Sequence, residues 1–169
     1  MNKGIEVIEA KWLFGLDSEQ IDVIVHPQSI IHSVVQFEDG SMKAQMGLPD
    51  MKLPIQYAMA FPQRLKSSFK RFNFIDYPDL SFEKPDTDTF QNLALAYEAM
   101  RKGGNSPCVL NAANEVVVDA FLKENISFLE MSDVVATCME KATFVANPSY
   151  EDYVSSDYES RQLAENLIK

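Results

Sequence analysis

Hydrophobic and polar positions are patterned most clearly in the first third of the chain. Residues 21–25 are almost continuously apolar and β-branched, which is typical of a strand covered on both faces. Residues 29–37 then alternate between the two classes, as a half-buried strand does. Asp39-Gly40 suits a tight turn, and residues 42–46 alternate again. We therefore predict a small mixed sheet that contains a hairpin.

Apolar residues at helical spacing predict a helix on each side of this sheet. Residues 3–14 form the first, with Asn2 as a possible cap and Gly15 able to end it. Residues 53–61 form the second, which carries Pro54 in its first turn. The sheet and its flanking helices indicate the α+β class.

The chain from residue 89 to its end shows four further helical patterns, joined by short links. The second pattern begins at Ser106-Pro107, and the third and fourth begin at Ser132 and Ser156. Short links between helices favour an antiparallel four-helix bundle. Asn111 and Asn114 lie among apolar residues of the second helix, and we expect them to fix the docking of the bundle through hydrogen bonds.

These patterns divide the chain into three regions. Residues 1–62 form the region with the sheet, residues 63–88 a connector, and residues 89–169 the helical domain. The connector has no sustained period but many aromatic residues, so we expect it to lie along the surface with its rings tucked in. The predicted fold is a small mixed sheet with flanking helices, followed by an antiparallel four-helix bundle.

Composition narrows the classes of function. A net charge of −10 argues against a general affinity for nucleic acid or an anionic membrane. No apolar run approaches the roughly 20 residues that span a bilayer, and the first ten residues do not resemble a signal peptide. Cys108 and Cys138 fit buried free thiols in a reducing compartment. We therefore expect a cytoplasmic protein.

The first helix carries the strongest candidates for chemistry. Glu6 and Glu9 are three residues apart and so project from one side of the helix. They fit a solvated acidic face, or a carboxylate presented to a ligand beside Asn2 and Lys3 near a helix N-terminus. The residues alone leave both interpretations open.

Two histidines, His26 and His32, flank a proline near the predicted strands. A zinc site needs more nitrogen or sulfur ligands than these two, and no third lies near them in the sequence. The pattern therefore favours histidines that are hydrogen-bonded within the sheet.

Several longer motifs occur in a fixed order. They are NKGIEVIEA at residues 2–10, HPQS at 26–29, PDM at 49–51 and LNAANE at 110–115. This series resembles the 1-deoxy-D-xylulose 5-phosphate reductoisomerase family, and the resemblance covers most of the chain. It implies an enzyme that rearranges and reduces a sugar phosphate with NADPH and a divalent cation (Mn²⁺, Mg²⁺ or Co²⁺), and it implies a homodimer.

The resemblance also implies roles for individual residues. Asn2, Lys3 and Glu6 match substrate-binding positions, and Glu6 matches a metal ligand as well. Lys3 and Glu6 are the implied catalytic residues, and Met51 matches a position near the nicotinamide. A hard cation prefers carboxylate oxygen, and it can polarise a ketone. The two histidines are implied to support the active site.

The chain departs from the family in one large respect. It contains no G-x-G-x-x-G turn, and the N-terminal NADPH-binding domain that the family carries, with its Asp-x-Glu metal ligands, is absent. We therefore expect a C-terminal portion that is inactive alone. The alternatives are a non-catalytic interaction or dimerisation module, and a metal-dependent hydrolase using Glu6, Glu9 and His26, which has too few ligands.

Overall fold

The computed structural model describes residues 1–168 and confirms the α+β class, with a two-stranded sheet and six α-helices in this range. The elements are α1 (Asn2–Phe14), β1 (Ile31–Gln36), β2 (Met42–Met46), α2 (Lys52–Ala60), α3 (Asn92–Lys102), α4 (Ser106–Leu122), α5 (Phe128–Lys141) and α6 (Tyr150–Ile168). None of the described helices combines the length and apolar character needed to cross a bilayer.

The chain forms two compact units, which are described separately. The helical unit comprises Met1–Val23 together with the chain from Asp86 to the last described residue, and the sheet unit comprises Ile24–Pro85. This division differs from the predicted regions, because α1 packs against α3 and so groups with the C-terminal helices. The predicted boundaries between functional domains remain a prediction.

Helices α3 to α6 of the helical unit pack around one apolar core. Helix α4 contacts α3, α5 and α6, and its side chains Val109, Leu110 and Val117 are buried. Val135 and Cys138 of α5 complete the centre of this core. Burial of such side chains is the dominant favourable contribution to folding, so the helical unit has a core of its own.

Helix α1 joins the helical unit through a close approach of two backbones. A Cβ atom placed on Gly4 would lie 2.5 Å from the Cβ of Ala96 in α3, so glycine is needed at this crossing. Val7, one turn further along α1, is buried as well. At the other end Gly15 has a φ of 65°, and its N–H donates to the carbonyl of Lys11. Asn2 does not cap α1, since it lies inside the helix and Met1 occupies the cap position.

One buried asparagine ties α4 to the chain that leads into α6. The Nδ2 group of Asn105 donates to the carbonyl of Thr143 (2.8 Å) and to Oγ of Ser156 (2.9 Å). Its Oδ1 accepts from the N–H of Val145 (2.9 Å), and its own N–H donates to the Val145 carbonyl (3.0 Å). Three segments of chain therefore meet at one side chain whose polar atoms are all bonded.

The amides predicted for this role, Asn111 and Asn114, are only half-buried. Asn111 donates to Glu115 of the same helix (3.1 Å). Glu115 also accepts from Arg161 of α6 (2.7 Å), and Arg161 is bonded to Asp157 as well. The motif therefore contributes a link between α4 and α6, but that link is a surface ion pair.

Helices α5 and α6 both begin earlier than predicted. Helix α5 starts at Phe128 after a capping box formed by Ser127 and Glu130, so Ser132 lies inside it. The predicted start at Ser132 was wrong because the true cap is the preceding serine, which has a glutamate three residues later.

The start predicted for α6 was wrong in the same way. That helix begins at Tyr150, where Ser149 and Asp152 exchange hydrogen bonds between side chain and backbone N–H. Ser156 is buried within the helix.

The sheet unit contains one antiparallel pair, β1 with β2. Gly40 in the connecting turn has a φ of 83°, a conformation that glycine adopts freely, and Asp39 accepts from the N–H and the hydroxyl of Ser41. The pairing slips by one residue between Ile31 and Ser33, which makes His32 the extra residue of a β-bulge.

Residues 21–25 do not form the strand that their apolar pattern predicts. Only Val25 pairs, in an isolated antiparallel bridge with Glu83 of the connector, with both N–H···O distances at 2.9 Å. Ile24 and Val25 are exposed. An apolar run becomes a strand only where a partner strand lies beside it, and no further strand is present in residues 1–168.

Residues 81–83 of the connector are hydrogen-bonded to residues 25–28, but the rings of the connector stay partly exposed. Gln28 donates to Oγ of Ser81 (2.9 Å) and accepts from its N–H (3.3 Å). Phe72 packs on Phe74 and Tyr77, whereas Phe74 itself is exposed. The expectation that the aromatic side chains are tucked in is therefore only partly met.

Candidate active site

Helix α1 brings three of the predicted site residues together on its first turn. Nδ2 of Asn2 donates to Oε1 of Glu6 (2.6 Å), and Nζ of Lys3 lies 2.5 Å from Oε2 of the same carboxylate. The spacings of four and three residues place these side chains on one face of the helix. Both oxygens of the Glu6 carboxylate are therefore bonded to donors within this polar cluster.

The cluster faces solvent while the helix beneath it is anchored. The side chains of Lys3 and Glu6 are 62% and 43% exposed. On the opposite face, Ile5 and Ile8 pack against the core of the helical unit. Lys11 adds a hydrogen bond from Nζ to the carbonyl of Met100 (3.3 Å). An anchored helix that carries an exposed polar cluster keeps the backbone positions of these groups fixed.

The cluster can offer both donors and acceptors to a ligand. An exposed ion pair such as that of Lys3 with Glu6 contributes little to stability, about 0–1 kcal/mol. Replacing the contact between Lys3 and Glu6 by contacts with a ligand therefore costs little free energy. The ammonium of Lys3 and the amide of Asn2 can donate to substrate oxygens, and the Glu6 carboxylate can accept or bind a cation.

The described residues do not form a complete metal centre. Divalent cations such as Mg²⁺ or Mn²⁺ are bound through several oxygen ligands, of which protein carboxylates supply one or more. No group of three His, Cys, Asp or Glu side chains suited to a metal is found in residues 1–168. Glu9 is exposed and takes no part in the hydrogen bonds of the polar cluster. Glu6 can therefore supply at most one of the several ligands that such a cation needs.

The cofactor candidate Met51 belongs to the sheet unit. It occupies the cap position of α2, and 70% of its surface is exposed. The turn before it is ordered by Asp50, which accepts from the N–H of Lys52 at Oδ1 (2.9 Å). Met51 is thus a flexible apolar side chain at the surface, available to an apolar part of a ligand.

Both histidines have hydrogen-bonded structural positions, as the sequence favours. Nδ1 of His26 donates to the carbonyl of Ser81 (2.8 Å), and its ring stacks on Phe82 with centroids 4.7 Å apart. Nε2 of His32 donates to the carbonyl of Gly47 (3.1 Å). Neither histidine belongs to a group of three side chains suited to a metal in residues 1–168.

The two cysteines are free thiols, as predicted. Cys138 is buried, and burial raises the pKa of its thiol to about 11. Cys108 is partly buried, and burial raises its pKa as well. Both thiols therefore stay protonated near neutral pH and are poor nucleophiles.

A shallow groove of about 400 Å³ in the helical unit was not anticipated from the sequence. Glu19, Asp22, Tyr97 and Arg101 are among the residues that line it. The Tyr97 hydroxyl donates to the carbonyl of Ile21 (2.9 Å), and burial together with the charge of Asp22 raises its pKa. The segment after α1 meets α3 here across a long sequence separation, so no local pattern could reveal the groove.

A family model described as the DXP reductoisomerase C-terminal domain matches residues 46–163, which is more than half of the chain. The chain belongs to the DXP reductoisomerase family. Proteins named 1-deoxy-D-xylulose 5-phosphate reductoisomerase from Phocaeicola vulgatus and Bacteroides thetaiotaomicron are each 64% identical to it over 168 residues. The match includes 99% of this chain but 44% and 43% of the two relatives, so the chain spans less than half of their length.

Solved structures of DXP reductoisomerases share the fold. The enzyme from Zymomonas mobilis in complex with NADPH superposes with a TM-score of 0.91 at 42% identity, covering 99% of this chain and 44% of that one. A DOX-P reductoisomerase in complex with NADPH, fosmidomycin and magnesium gives a TM-score of 0.92 at 38% identity, with coverage of 99% and 43%. Both structures are described as complexes with NADPH, and the second also with magnesium.

Proposed function

We propose that this chain acts as the C-terminal part of an NADPH-dependent reductoisomerase that converts 1-deoxy-D-xylulose 5-phosphate to 2-C-methyl-D-erythritol 4-phosphate. The observation that carries the proposal is the polar cluster of Asn2, Lys3 and Glu6, presented by an anchored helix in a chain of this family. The solved relatives with NADPH, magnesium and fosmidomycin support the same assignment.

The polar cluster gives each residue a role. Lys3 and Asn2 donate hydrogen bonds to substrate oxygens, and the positive charge of Lys3 stabilises negative charge that develops on them. Glu6 contacts substrate and supplies one ligand to Mn²⁺, Mg²⁺ or Co²⁺. The cation, when bound, polarises the substrate carbonyl. Because residues 1–168 contain no group of three side chains suited to a metal, we infer that the other ligands come from outside them.

NADPH requires groups beyond those of this chain. Met51 contacts the nicotinamide in this proposal, but the sequence has no Gly-rich turn to hold the dinucleotide phosphates. We infer that the rest of a longer polypeptide binds them, and that the isolated chain is inactive. The homodimer and the cytoplasmic location remain predictions.

A chimera tests the proposal directly. The chain replaces the matching 168 residues of the Phocaeicola vulgatus relative, and NADPH oxidation is followed by absorbance with substrate and Mn²⁺. The chimera should turn over, and Glu6→Gln, which keeps the shape but removes the charge, should reduce kcat on the order of a hundredfold. Glu9→Gln is the matched control and should have a much smaller effect. Near-normal activity of the Glu6→Gln chimera would contradict the role of Glu6.

Lys3→Ala in the same chimera separates substrate binding from cofactor binding. The variant should raise the KM for the sugar phosphate or lower kcat, while NADPH affinity in a fluorescence titration stays unchanged. An equal loss for both ligands would instead indicate that α1 has been displaced. The isolated chain is assayed in parallel, and clear turnover there would contradict its predicted inactivity.

A second function, a non-catalytic interaction module, is favoured by one observation. Most large apolar side chains of the sheet unit are exposed, among them Val35, Phe37 and Met42 on the hairpin and its turn. Exposed apolar surface of this kind is typical of a binding surface. The Glu6→Gln chimera separates the two cases, because a module without a catalytic role would leave its turnover near normal, whereas the reductoisomerase would lose turnover.

A further inference from the structure

Helices α1 and α3 cross at a point where neither backbone leaves room for a larger residue. Gly4 of α1 is buried, and Ala96 of α3 is 0% exposed. A Cβ atom on Gly4 would lie 2.5 Å from the Cβ of Ala96, a distance that real Cβ atoms essentially never show. Glycine is otherwise disfavoured inside a helix. Its presence here therefore has a packing reason, because it sets how closely α1 approaches α3.

The polar cluster belongs to the same turn of α1 as this crossing. Lys3 is next to Gly4 in the sequence, and Asn2 and Glu6 lie two residues before and after it. Two residues correspond to about 200° around an α-helix, so Asn2 and Glu6 project from the side of α1 that is turned away from α3. A displacement of this turn away from α3 would therefore move the polar cluster with it.

Helix α1 is the element that would move if the crossing were made larger. Ala96 and Ala99 of α3 are both part of the apolar core, so α3 is held from its other side. The far end of α1 is tied by the bond from Lys11 to the carbonyl of Met100. An added methyl group would thus push the first turn of α1 outward. The two Cβ atoms would have to separate from 2.5 Å to at least 3.4 Å, where ordinary contact begins, which is a shift of about 1 Å.

We propose that Gly4 and Ala96 are positioning residues for the reaction. Their close crossing sets the distance of the polar cluster from α3, and so places Asn2, Lys3 and Glu6 against the substrate and the cation. The proposal rests on the proposed function for the reaction, but not for the crossing itself. Neither Gly4 nor Ala96 touches the substrate in this role. A misplacement of about 1 Å can lower a rate on the order of a hundredfold, so a single methyl group at the crossing is enough to matter.

Hydrogen exchange of the chain itself tests whether the crossing fixes α1. In Gly4→Ala the amides of residues 6–9 should exchange roughly tenfold faster, because overpacking weakens the docking of α1, even though alanine by itself favours a helix. The double variant Gly4→Ala/Ala96→Gly should return near the parent rate. Without the Cβ of Ala96, the nearest atoms to the new methyl group are the carbonyl oxygen of Asn92 (3.4 Å) and Sδ of Met1 (3.5 Å). Unchanged exchange in Gly4→Ala would overturn the fixing of α1.

The chimera tests the consequence for the reaction. Gly4→Ala should raise the KM for the sugar phosphate and for Mn²⁺ and should lower kcat/KM on the order of a hundredfold, while NADPH affinity stays unchanged. The double variant should recover most of this loss. Val135→Ala in α5 is the matched control, since it removes fully buried side-chain volume from a helix outside the crossing. It should lower the unfolding temperature but leave the KM values unchanged, as a merely structural effect would.

Two results would overturn the positioning role. One is a folded Gly4→Ala chimera with the KM values of the parent, and the other is a folded double variant that recovers none of the loss. If Gly4→Ala does not fold, the double variant decides alone, because parent-like kinetics there require the restored crossing. An inactive parent chimera would instead contradict the proposed function, and hydrogen exchange then decides the crossing independently.

Discussion

The helical unit and the sheet unit are stabilised in different ways. Every fully buried apolar side chain described is in the helical unit, except Ile30. The sheet unit has a two-stranded hairpin, and hairpins of this size are marginally stable alone in water. Hydrogen bonds from His26, Gln28 and His32 hold its segments together in place of a core. The difference teaches that neighbouring stretches of one chain can fold for separate reasons, burial in one and polar anchoring in the other.

The largest expected effect is in hydrogen exchange across the two units. Amides of α4 should exchange on the order of a thousandfold more slowly than those of β1 and β2, because exchange in a core element requires near-global unfolding. Mass spectrometry of peptides from the two regions measures the ratio. If the hairpin of the isolated chain were protected as well as α4, the two units would not differ in stability. The hairpin would then be stable without a larger core.

A pair of truncations should give the next largest difference. Leu110→Ala removes a fully buried side chain of α4 and should reduce the free energy of unfolding by about 2–5 kcal/mol. Ile55→Ala in α2 is the matched change at a position that is 52% exposed, and it should cost less than about 1 kcal/mol. Urea denaturation measures both. A larger loss for Ile55→Ala than for Leu110→Ala would reverse the assignment of the core.

Gly4→Ala tests whether α1 is packed firmly against α3 as part of the helical unit. An alanine in a helix is normally favoured over glycine by about 1 kcal/mol. Here the new Cβ would lie 2.5 Å from that of Ala96, and overpacking of this kind costs about 1–3 kcal/mol. We expect a net loss in thermal denaturation, and recovery in the double variant Gly4→Ala/Ala96→Gly. A stabilised single variant would mean that α1 is free to move away from α3.

The smallest expected effect concerns pH and the helix caps. Hydrogen bonds from Ser127 and Ser149 lower the pKa values of Glu130 and Asp152 in the folded chain. A carboxyl group whose pKa is lower in the folded chain than in the unfolded chain stabilises the fold at pH values above its unfolded pKa. This stability is lost as the pH falls through the folded pKa. Thermal unfolding of the helical unit should therefore shift to lower temperature below about pH 4.5, the ordinary value for glutamate. Glu130→Gln should weaken this dependence, and an unchanged pH profile in that variant would exclude the cap as a contributor.

The sequence predicts the helices and strands that have local signals. It fails where a residue far away in the chain determines whether the element forms. The hairpin and the helices α1 to α4 follow from alternation, apolar spacing and residues such as Gly15 and Pro107. The starts of α5 and α6 were placed too late because Ser132 and Ser156 mimic caps. Residues 21–25 were assigned to a strand because their apolar pattern does not reveal whether a partner strand exists.

Prediction of the candidate site from the sequence has the same limit, because only contacts between residues close in the chain can be foreseen. Asn2, Lys3 and Glu6 come together as the helical spacing implies, since they are close in sequence. The placement of α1 on α3 depends on Gly4 and Ala96, which are far apart in the chain and carry no recognisable motif. The bulge at His32 is equally invisible, because one extra residue in a strand does not change the alternation enough to be seen.

The hydrogen bonds of Asn105 determine which alternative structures the helical unit avoids. If α6 moved along α4 by one turn, the Nδ2 group of Asn105 would lose its bond to Ser156, while the bonds to Thr143 and Val145 would still hold the link that leads into α6. Buried polar groups without partners are costly, so the wrong register is penalised more than the right one is rewarded. An apolar residue of similar size at this position would remove that penalty, but it would also leave the N–H of Val145 without its acceptor. Asn105 therefore contributes to the uniqueness of the fold as well as to its stability.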